Sequence, residues 1–135
     1  MKNLILVAVL AVFTFGCKEV EEKEVHEDVA EAVNTAKLRH VVMFKFKDES
    51  TAEDIEMVVK AFENLPNEIP EIKGFEWGTN NSPENLNDEF THIFTLTFDS
   101  ENGRAAYLPH PAHKAFGGIL GPHLDKVMVM DYWNK

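Results

Sequence analysis

Two segments of this chain alternate two kinds of side chain with a period of two, and this alternation constrains the fold more than any other feature. Residues 90–98 alternate aromatic or aliphatic side chains with β-branched ones, and residues 39–47 follow a similar rule. Successive side chains of an extended chain point to opposite faces, so each segment is predicted to be a strand with one buried face. His92 and His40 fall on the more apolar faces of these strands.

Apolar residues recur at helical spacing in the segment between these two strands and again after the second strand. Residues 52–64 repeat apolar side chains at intervals of three and four, which predicts an amphipathic helix against a core. Two shorter helical segments follow Ser100, and a Pro-His-Pro stretch separates them. Residues 72–78 and 127–133 complete the pattern as two further strands. The order βαββαβ predicts a ferredoxin-like α+β domain, with a four-stranded antiparallel sheet and its helices on one face.

The first 17 residues are predicted to be an export signal and not a part of the folded domain. Met1-Lys2-Asn3 forms a short positive segment, and the apolar run after it is shorter than the roughly 20 residues that a spanning helix needs. The run ends at Cys17, the only cysteine, which cannot form an internal disulfide. The pattern resembles a bacterial lipoprotein signal, in which this cysteine carries the lipid. An uncleaved anchor and an ordinary signal with an incidental cysteine are the alternatives.

Residues 18–36 are rich in acids, and their valines give only a thin apolar stripe. Such a segment cannot bury enough apolar surface to pack alone, so it is predicted to be a solvated, acidic tether. The folded domain is then predicted to span residues 37–135. The whole chain carries a formal net charge of −10, and the domain has neither a basic stripe nor basic residues interleaved with aromatic ones. This composition disfavours nucleic acid as a partner.

Three ionisable side chains lie where the two shorter helical segments meet: Tyr107, His110 and His113. Pro111 suits the first turn of a helix, where its missing N–H costs nothing. His110 is therefore predicted to cap that helix, and His113 to lie one turn further on. Because histidine exchanges protons near neutral pH, this cluster is the first candidate for a functional site.

A metal site is a weaker interpretation of the same histidines. His110 and His113 are three residues apart, and His40 or His92 could add a ligand. The domain has no cysteine, however, and no carboxylate lies at the helical spacing expected of metal ligands. We therefore predict neither a metal nor a cofactor.

Several short segments occur together in an order that is typical of one protein family. They are Arg39-His40-Val41-Val42-Met43-Phe44-Lys45-Phe46-Lys47, Trp77-Gly78, Thr91-His92-Ile93, Thr97-Phe98, Tyr107, His110-Pro111-Ala112-His113 and Asp131-Tyr132. From residue 38 to residue 133 the chain resembles the stress-responsive A/B barrel family, also called dimeric α+β barrels, and within it the plant polyketide cyclases. The resemblance implies a homodimer whose two sheets form a barrel, and a pocket in each subunit between its sheet and its helices.

The resemblance to the cyclases also implies roles for individual residues. His113 matches a histidine that removes a proton in an aldol ring closure, and Tyr107 matches the tyrosine that acts with it. His40 and His92 match histidines that line the pocket. Proton abstraction next to a carbonyl needs a base with a pKa near the working pH and a donor for the developing enolate, and this pair supplies one of each. Phe62 stands where those cyclases have a tyrosine, so contacts with a substrate are expected to differ there.

Some of the apolar residues, which are core residues by default, are predicted to form the wall of the pocket and to bind an aromatic or acyl ligand. They are Val42, Phe44, Val58, Phe62 and Phe94. The predicted function is a small-molecule-binding A/B barrel protein, lipid-anchored through Cys17 to a membrane of the bacterial cell envelope. The alternative is an enzyme of the polyketide cyclase kind. Met128, Met130 and Trp133 lie either in the core or at a dimer contact, and the pattern alone does not decide between the two.

Overall fold

The computed structural model describes residues 36–135. Its elements, in chain order, are β1 (Leu38–Phe46), α1 (Ala52–Glu63), α2 (Leu65–Glu68), β2 (Gly74–Thr79), β3 (His92–Phe98), α3 (Glu101–Tyr107), α4 (Pro111–Leu120) and β4 (Leu124–Trp133). The predicted export signal, Cys17 and all but the last residue of the predicted tether lie outside the described residues. Within the described part of the chain, no helix is both long enough and apolar enough to cross a membrane.

The four strands form one antiparallel sheet in the order β2-β3-β1-β4. This order, with the helices against one face of the sheet, is the ferredoxin-like arrangement that the periodicity predicted. The two strands with the clearest alternation, β1 and β3, lie side by side at the centre of the sheet. Because both contribute a continuous apolar face, the core lies between that face and the helices.

Aromatic rings fill the middle of this core. Phe62 of α1 lies 4.6 Å from the ring of Phe94 and 4.5 Å from the ring of Phe116, measured between ring centroids. Phe44 of β1 lies 5.1 Å from Phe94 in the same way. Rings at these separations gain attraction beyond the area that they bury, so this cluster joins α1, α4 and the sheet.

The helices begin where the sequence places capping residues. Thr51 forms a capping box with Asp54: its hydroxyl accepts from the Asp54 backbone N–H, and the Asp54 carboxylate accepts from the Thr51 N–H. Ser100 caps α3 and His110 caps α4, as predicted. The first helix ends at Glu63, one residue before its predicted end, with Asn64 as its C-cap; Pro66 then lies in the first turn of the short helix α2.

Three strands start two or three residues away from their predicted starts. β2 starts at Gly74, because the Ile72 N–H turns back to the carbonyl of Ile69. β3 starts at His92, and β4 starts earlier than predicted, at Leu124, next to an irregularity in its pairing with β1.

The face of the sheet that is turned away from the helices carries exposed apolar side chains. We call this surface the open face; its apolar side chains are the exposed Ile93, Met128, Met130 and Tyr132 and the half-buried Met43. Met130 and Tyr132 are each 51% exposed. A cluster of large apolar side chains at such exposure is typical of a surface that contacts another protein.

Candidate functional site

A cavity of about 220 Å³ lies between β1, β4 and the helices α1, α3 and α4. Its lining residues are His40, Val42, Phe44, Phe62, Tyr107, Leu108, His113, Phe116, Leu120, Val127 and Val129. Most of these side chains are apolar, and the polar groups come from two imidazoles and one phenol. An apolar cavity with a few converging polar groups is the usual form of a small-molecule site.

The structure brings together six of the residues that the sequence analysis selected. His113, Tyr107 and His40 line this cavity with Val42, Phe44 and Phe62. Two others, Val58 and Phe94, do not line it and are fully buried in the core. Both belong to the core cluster, and the ring of Phe94 lies 4.6 Å from that of Phe62, which does line the cavity.

His92 is the third predicted pocket residue that lies elsewhere. It shares the helix-facing side of the sheet with His40, but it pairs with Phe44, four residues along β1 from His40. At roughly 3.3 Å per residue this separates the two histidines by about 13 Å. His92 instead stacks beside Trp77 and lines a second cavity, of about 350 Å³, between that indole and α1. Burial lowers the pKa of His92 below its ordinary value, which favours the neutral ring.

The break between α3 and α4 positions His113. In an unbroken helix the Leu108 carbonyl would accept from the backbone N–H of Ala112. Here Nδ1 of His110 takes that N–H, at 3.2 Å, when it caps α4. The Leu108 carbonyl is therefore open to a side chain, and the ring of His113 contacts it at 3.0 Å through Nδ1.

This contact fixes the tautomer of His113. A carbonyl oxygen can only accept, so the proton of the neutral ring lies on Nδ1 and Nε2 keeps its lone pair. The ring is half-buried beside Tyr107, with 4.3 Å between the ring centroids. His113 thus presents a proton acceptor next to a phenol, as a general base requires.

Tyr107 supplies the complementary donor. Its side chain is 1% exposed, and burial raises the pKa of the phenol above its ordinary value, so the hydroxyl stays protonated at neutral pH. Among residues 36–135 the hydroxyl makes no hydrogen bond to the protein. A donor in this position is free to bind an oxygen of a ligand.

His40 belongs to a chain of polar contacts that the sequence analysis missed. Its Nδ1 lies 2.7 Å from Oδ1 of Asp131 on β4, and Oδ2 of Asp131 lies 2.9 Å from Nη1 of Arg104 on α3. Asp131 follows Val127 and Val129 on one face of β4, where an isolated carboxylate is unexpected. The acidic residue after two valines was the one sequence signal for this contact. It identifies His40 as the partner of Asp131 only when the pairing of β4 with β1 is known.

Within residues 36–135, no group of three or more His, Cys, Asp or Glu side chains is placed to hold a metal ion. His110, which the sequence made a possible ligand, instead accepts a backbone N–H at the start of α4.

Fold and site together define an α+β domain that encloses a small apolar cavity with two imidazoles and a phenol at its wall. The profile of the Stress responsive A/B Barrel Domain family matches residues 38–134. The chain therefore belongs to this family.

Two curated relatives are similar over most of their own length. The chain is 45% identical to the stress-response A/B barrel domain-containing protein HS1 of Arabidopsis thaliana, over 70% of this chain and 87% of that protein. It is 36% identical to the olivetolic acid cyclase of Cannabis sativa, over 70% of this chain and 94% of that protein.

Solved structures give the same result. A hydroxynitrile lyase from Passiflora edulis is 29% identical and superimposes with a TM-score of 0.69, covering 73% of this chain and 94% of that one. A dimeric ferredoxin-like protein of unknown function from Thermobifida fusca is 28% identical, with a TM-score of 0.61, covering 72% of this chain and 90% of that one. Both likenesses extend over nearly the whole described domain.

Proposed function

We propose that this protein binds a small aromatic or apolar molecule in the cavity between its sheet and its helices. One observation carries the proposal: a largely apolar cavity contains a hydrogen-bond donor, the Tyr107 hydroxyl, and an acceptor, Nε2 of His113, that no other protein group uses. Buried polar groups normally have partners, so groups left free at a cavity wall favour a ligand with oxygen or nitrogen atoms at matching positions.

Titration calorimetry with a simple probe, 4-propylphenol, tests the binding. Tyr107→Phe removes only the hydroxyl and is expected to weaken binding about fivefold to tenfold, the value of one hydrogen bond. The other tyrosine of the chain provides the matched control, because Tyr132→Phe makes the same change on the open face and should leave the affinity unaltered. Equal losses in both variants, or no binding by the unmodified protein, contradict a ligand in this cavity.

A second candidate function is an enzyme that closes or cleaves a carbon–carbon bond next to a carbonyl. It is favoured by the tautomer of His113, because a ring with Nδ1–H bound to a carbonyl presents Nε2 as a base. The base would take a proton from the carbon next to the carbonyl, and the Tyr107 hydroxyl would donate a hydrogen bond to the enolate oxygen. A curated relative is named as a cyclase and a structural neighbour as a lyase, which agrees with such chemistry.

His113→Ala separates the two candidates. For an enzyme, this variant should abolish turnover of a poly-β-keto substrate while the protein stays folded by circular dichroism. For a binding protein, the unmodified chain has no turnover to lose, and the variant only weakens binding. Undiminished turnover in His113→Ala would end the catalytic proposal.

We also propose that the chain forms a homodimer through its open face. Support comes from the exposed apolar side chains there and from the dimeric state named for the Thermobifida fusca relative. Met130→Lys places a charge on this face, between Met128 and Tyr132 along β4, and should give a monomer in sedimentation velocity runs. Met57→Lys makes the same change at a similarly exposed site on α1, and this control should remain dimeric. A dimeric Met130→Lys variant would refute this interface.

Finally, we propose that Cys17 carries a lipid that anchors the protein to a membrane of the bacterial cell envelope. The support is the position of the cysteine at the end of the apolar run, followed by an acidic tether. Cys17→Ser is expected to move the protein from the membrane fraction to the soluble fraction of fractionated cells. Membrane retention of this variant with an intact amino terminus would instead identify an uncleaved anchor.

A further inference from the structure

We infer that Arg104 and Asp131 fix His40 as a hydrogen-bond acceptor inside the cavity, so that the cavity selects ligands with an O–H or N–H donor at the β1 end. This inference rests on the proposed binding function and adds to it a second acceptor, separate from His113. In this role Asp131 and Arg104 are positioning residues, because they act on a ligand through His40.

Strand pairing brings the first two members of this chain together. His40 and Asp131 are directly opposite each other in the β1–β4 register, so their side chains project from the same face at a short separation. The contact of 2.7 Å between Nδ1 and Oδ1 uses this register directly. A shift of one residue would turn Asp131 to the open face and remove the contact.

The carboxylate determines which ring nitrogen of His40 carries the proton. An ionised carboxylate only accepts, so in the neutral ring Nδ1 holds the hydrogen and Nε2 holds a lone pair. The ring is 5% exposed, and the edges of Tyr107 and Phe98 hold its plane at centroid distances of 5.7 and 6.4 Å. Among the described residues, the ring makes this one side-chain hydrogen bond. Since His40 lines the cavity, a bound molecule is the natural partner of Nε2.

Arg104 completes the arrangement from the last turn of α3. Its guanidinium contacts Oδ2 of Asp131 at 2.9 Å, which leaves Oδ1 for His40. Asp131 lies on an edge strand and is about one-third exposed, so without Arg104 its carboxylate could rotate into solvent. The charge of Arg104 also balances that of Asp131, which keeps an unpaired anion away from the imidazole. The other ionisable groups that line the cavity with His40 are Tyr107, whose buried phenol stays protonated at neutral pH, and His113, whose Nδ1 faces the Leu108 carbonyl.

The protonation of the His40 ring can be measured directly. Long-range ¹H–¹⁵N correlation spectra of the full chain at neutral pH distinguish Nδ1–H from Nε2–H. We expect Nδ1–H in the unmodified protein. We expect Nε2–H in Asp131→Asn, since an amide held by Arg104 through its oxygen offers Nδ1 a donor instead of an acceptor. An unmodified protein whose His40 ring carries a proton on Nε2, alone or together with Nδ1, overturns the inference.

Variants of Arg104 keep the proposal testable if Asp131→Asn does not fold. Arg104→Ala should give a mixture of the two tautomers, because Asp131 is no longer held. Arg104→Lys should restore Nδ1–H, because an ammonium group can replace the contact to Oδ2. A pure Nδ1–H ring in Arg104→Ala would refute the positioning role of Arg104.

The selection of ligands is tested with two matched probes, 4-propylphenol and its methyl ether, in a His113→Ala background where His40 is the remaining imidazole in the cavity. The phenol should bind about tenfold more tightly than the ether. Adding Asp131→Asn should reduce this preference to twofold or less. A preference that survives Asp131→Asn refutes the role of His40 and leaves the proposed binding function intact. Failure of the unmodified protein to bind either probe refutes the proposed function itself.

Discussion

Replacement of Phe62 by Ala tests the relation between the aromatic core and the cavity. Phe62 is 1% exposed, and four other phenylalanine rings lie around it, at centroid distances of 4.5 Å to Phe116, 4.6 Å to Phe94, 5.4 Å to Phe75 and 5.9 Å to Phe44. Loss of a buried phenylalanine ring lowers the free energy of unfolding by about 3–5 kcal/mol, from lost transfer energy and from the void that remains.

The structure indicates where in that range Phe62 lies. Part of its ring already borders the cavity of about 220 Å³ and has no packing partner on that side. The deleted volume joins the existing cavity and can take up water or ligand. We therefore expect a loss of about 3 kcal/mol for Phe62→Ala. Phe94→Ala is the matched control: this ring is fully buried and does not line the cavity, so we expect about 4–5 kcal/mol.

The assay is urea unfolding of the full chain followed by circular dichroism, at one protein concentration for every variant because a dimer unfolds in a concentration-dependent way. Calorimetry with probes of increasing size adds a second readout: Phe62→Ala should bind a bulkier probe than the unmodified protein does, and Phe94→Ala should not. A smaller loss of stability for Phe94→Ala than for Phe62→Ala, or no change in probe size for Phe62→Ala, would refute the assignment of Phe62 to the cavity wall.

Three further outcomes are expected from the surface contacts. Thr51→Ala removes the cap of α1 and should lower the free energy of unfolding by about 1 kcal/mol, measured by urea titration. The Thr51 backbone N–H lowers the pKa of Asp54 in the folded protein. The stabilisation from this carboxylate is therefore present above its unfolded pKa and is lost as the pH falls through the lower folded value. The difference in stability between the unmodified chain and Asp54→Asn should shrink below about pH 4. Glu89 contacts Lys45 and Lys126, each at 3.0 Å, so Glu89→Gln should lower the thermal midpoint more in dilute buffer than in about 1 M salt; an equal effect in both would exclude an ionic contribution.

The order of the elements could be predicted because each one is specified locally. The alternation in β1 and β3 and the spacing in α1 are visible in short windows of sequence. The capping role of His110 was predictable for the same reason, since Pro111 next to it marks the first turn of a helix. The local part of the site, Tyr107 with His113, therefore followed from the sequence.

The remainder of the site depends on how distant strands pair, which periodicity does not contain. His92 was placed with His40 because both lie on apolar faces, but the register of β3 against β1 sets them at different ends of the sheet. The contacts of Asp131 and Arg104 could not be predicted, because they exist only when β4 pairs with β1 and α3 brings Arg104 to Asp131. The face of the sheet on which a side chain lies can be predicted from its own strand. The position of that side chain relative to residues of other strands depends on the pairing register.

The contact of His113 with Leu108 and the contact of His40 with Asp131 differ in sequence separation, and this has a consequence for folding. His113 and the Leu108 carbonyl are separated by five residues, so their contact can form as soon as the second helical pair does. His40 and Asp131 are separated by 91 residues and meet only when the last strand closes the sheet. A nascent chain thus acquires the His113 contact before it can acquire the acceptor at His40. A molecule that contacts both histidines would bind only after β4 has paired with β1, so its binding would stabilise the product of this final folding step.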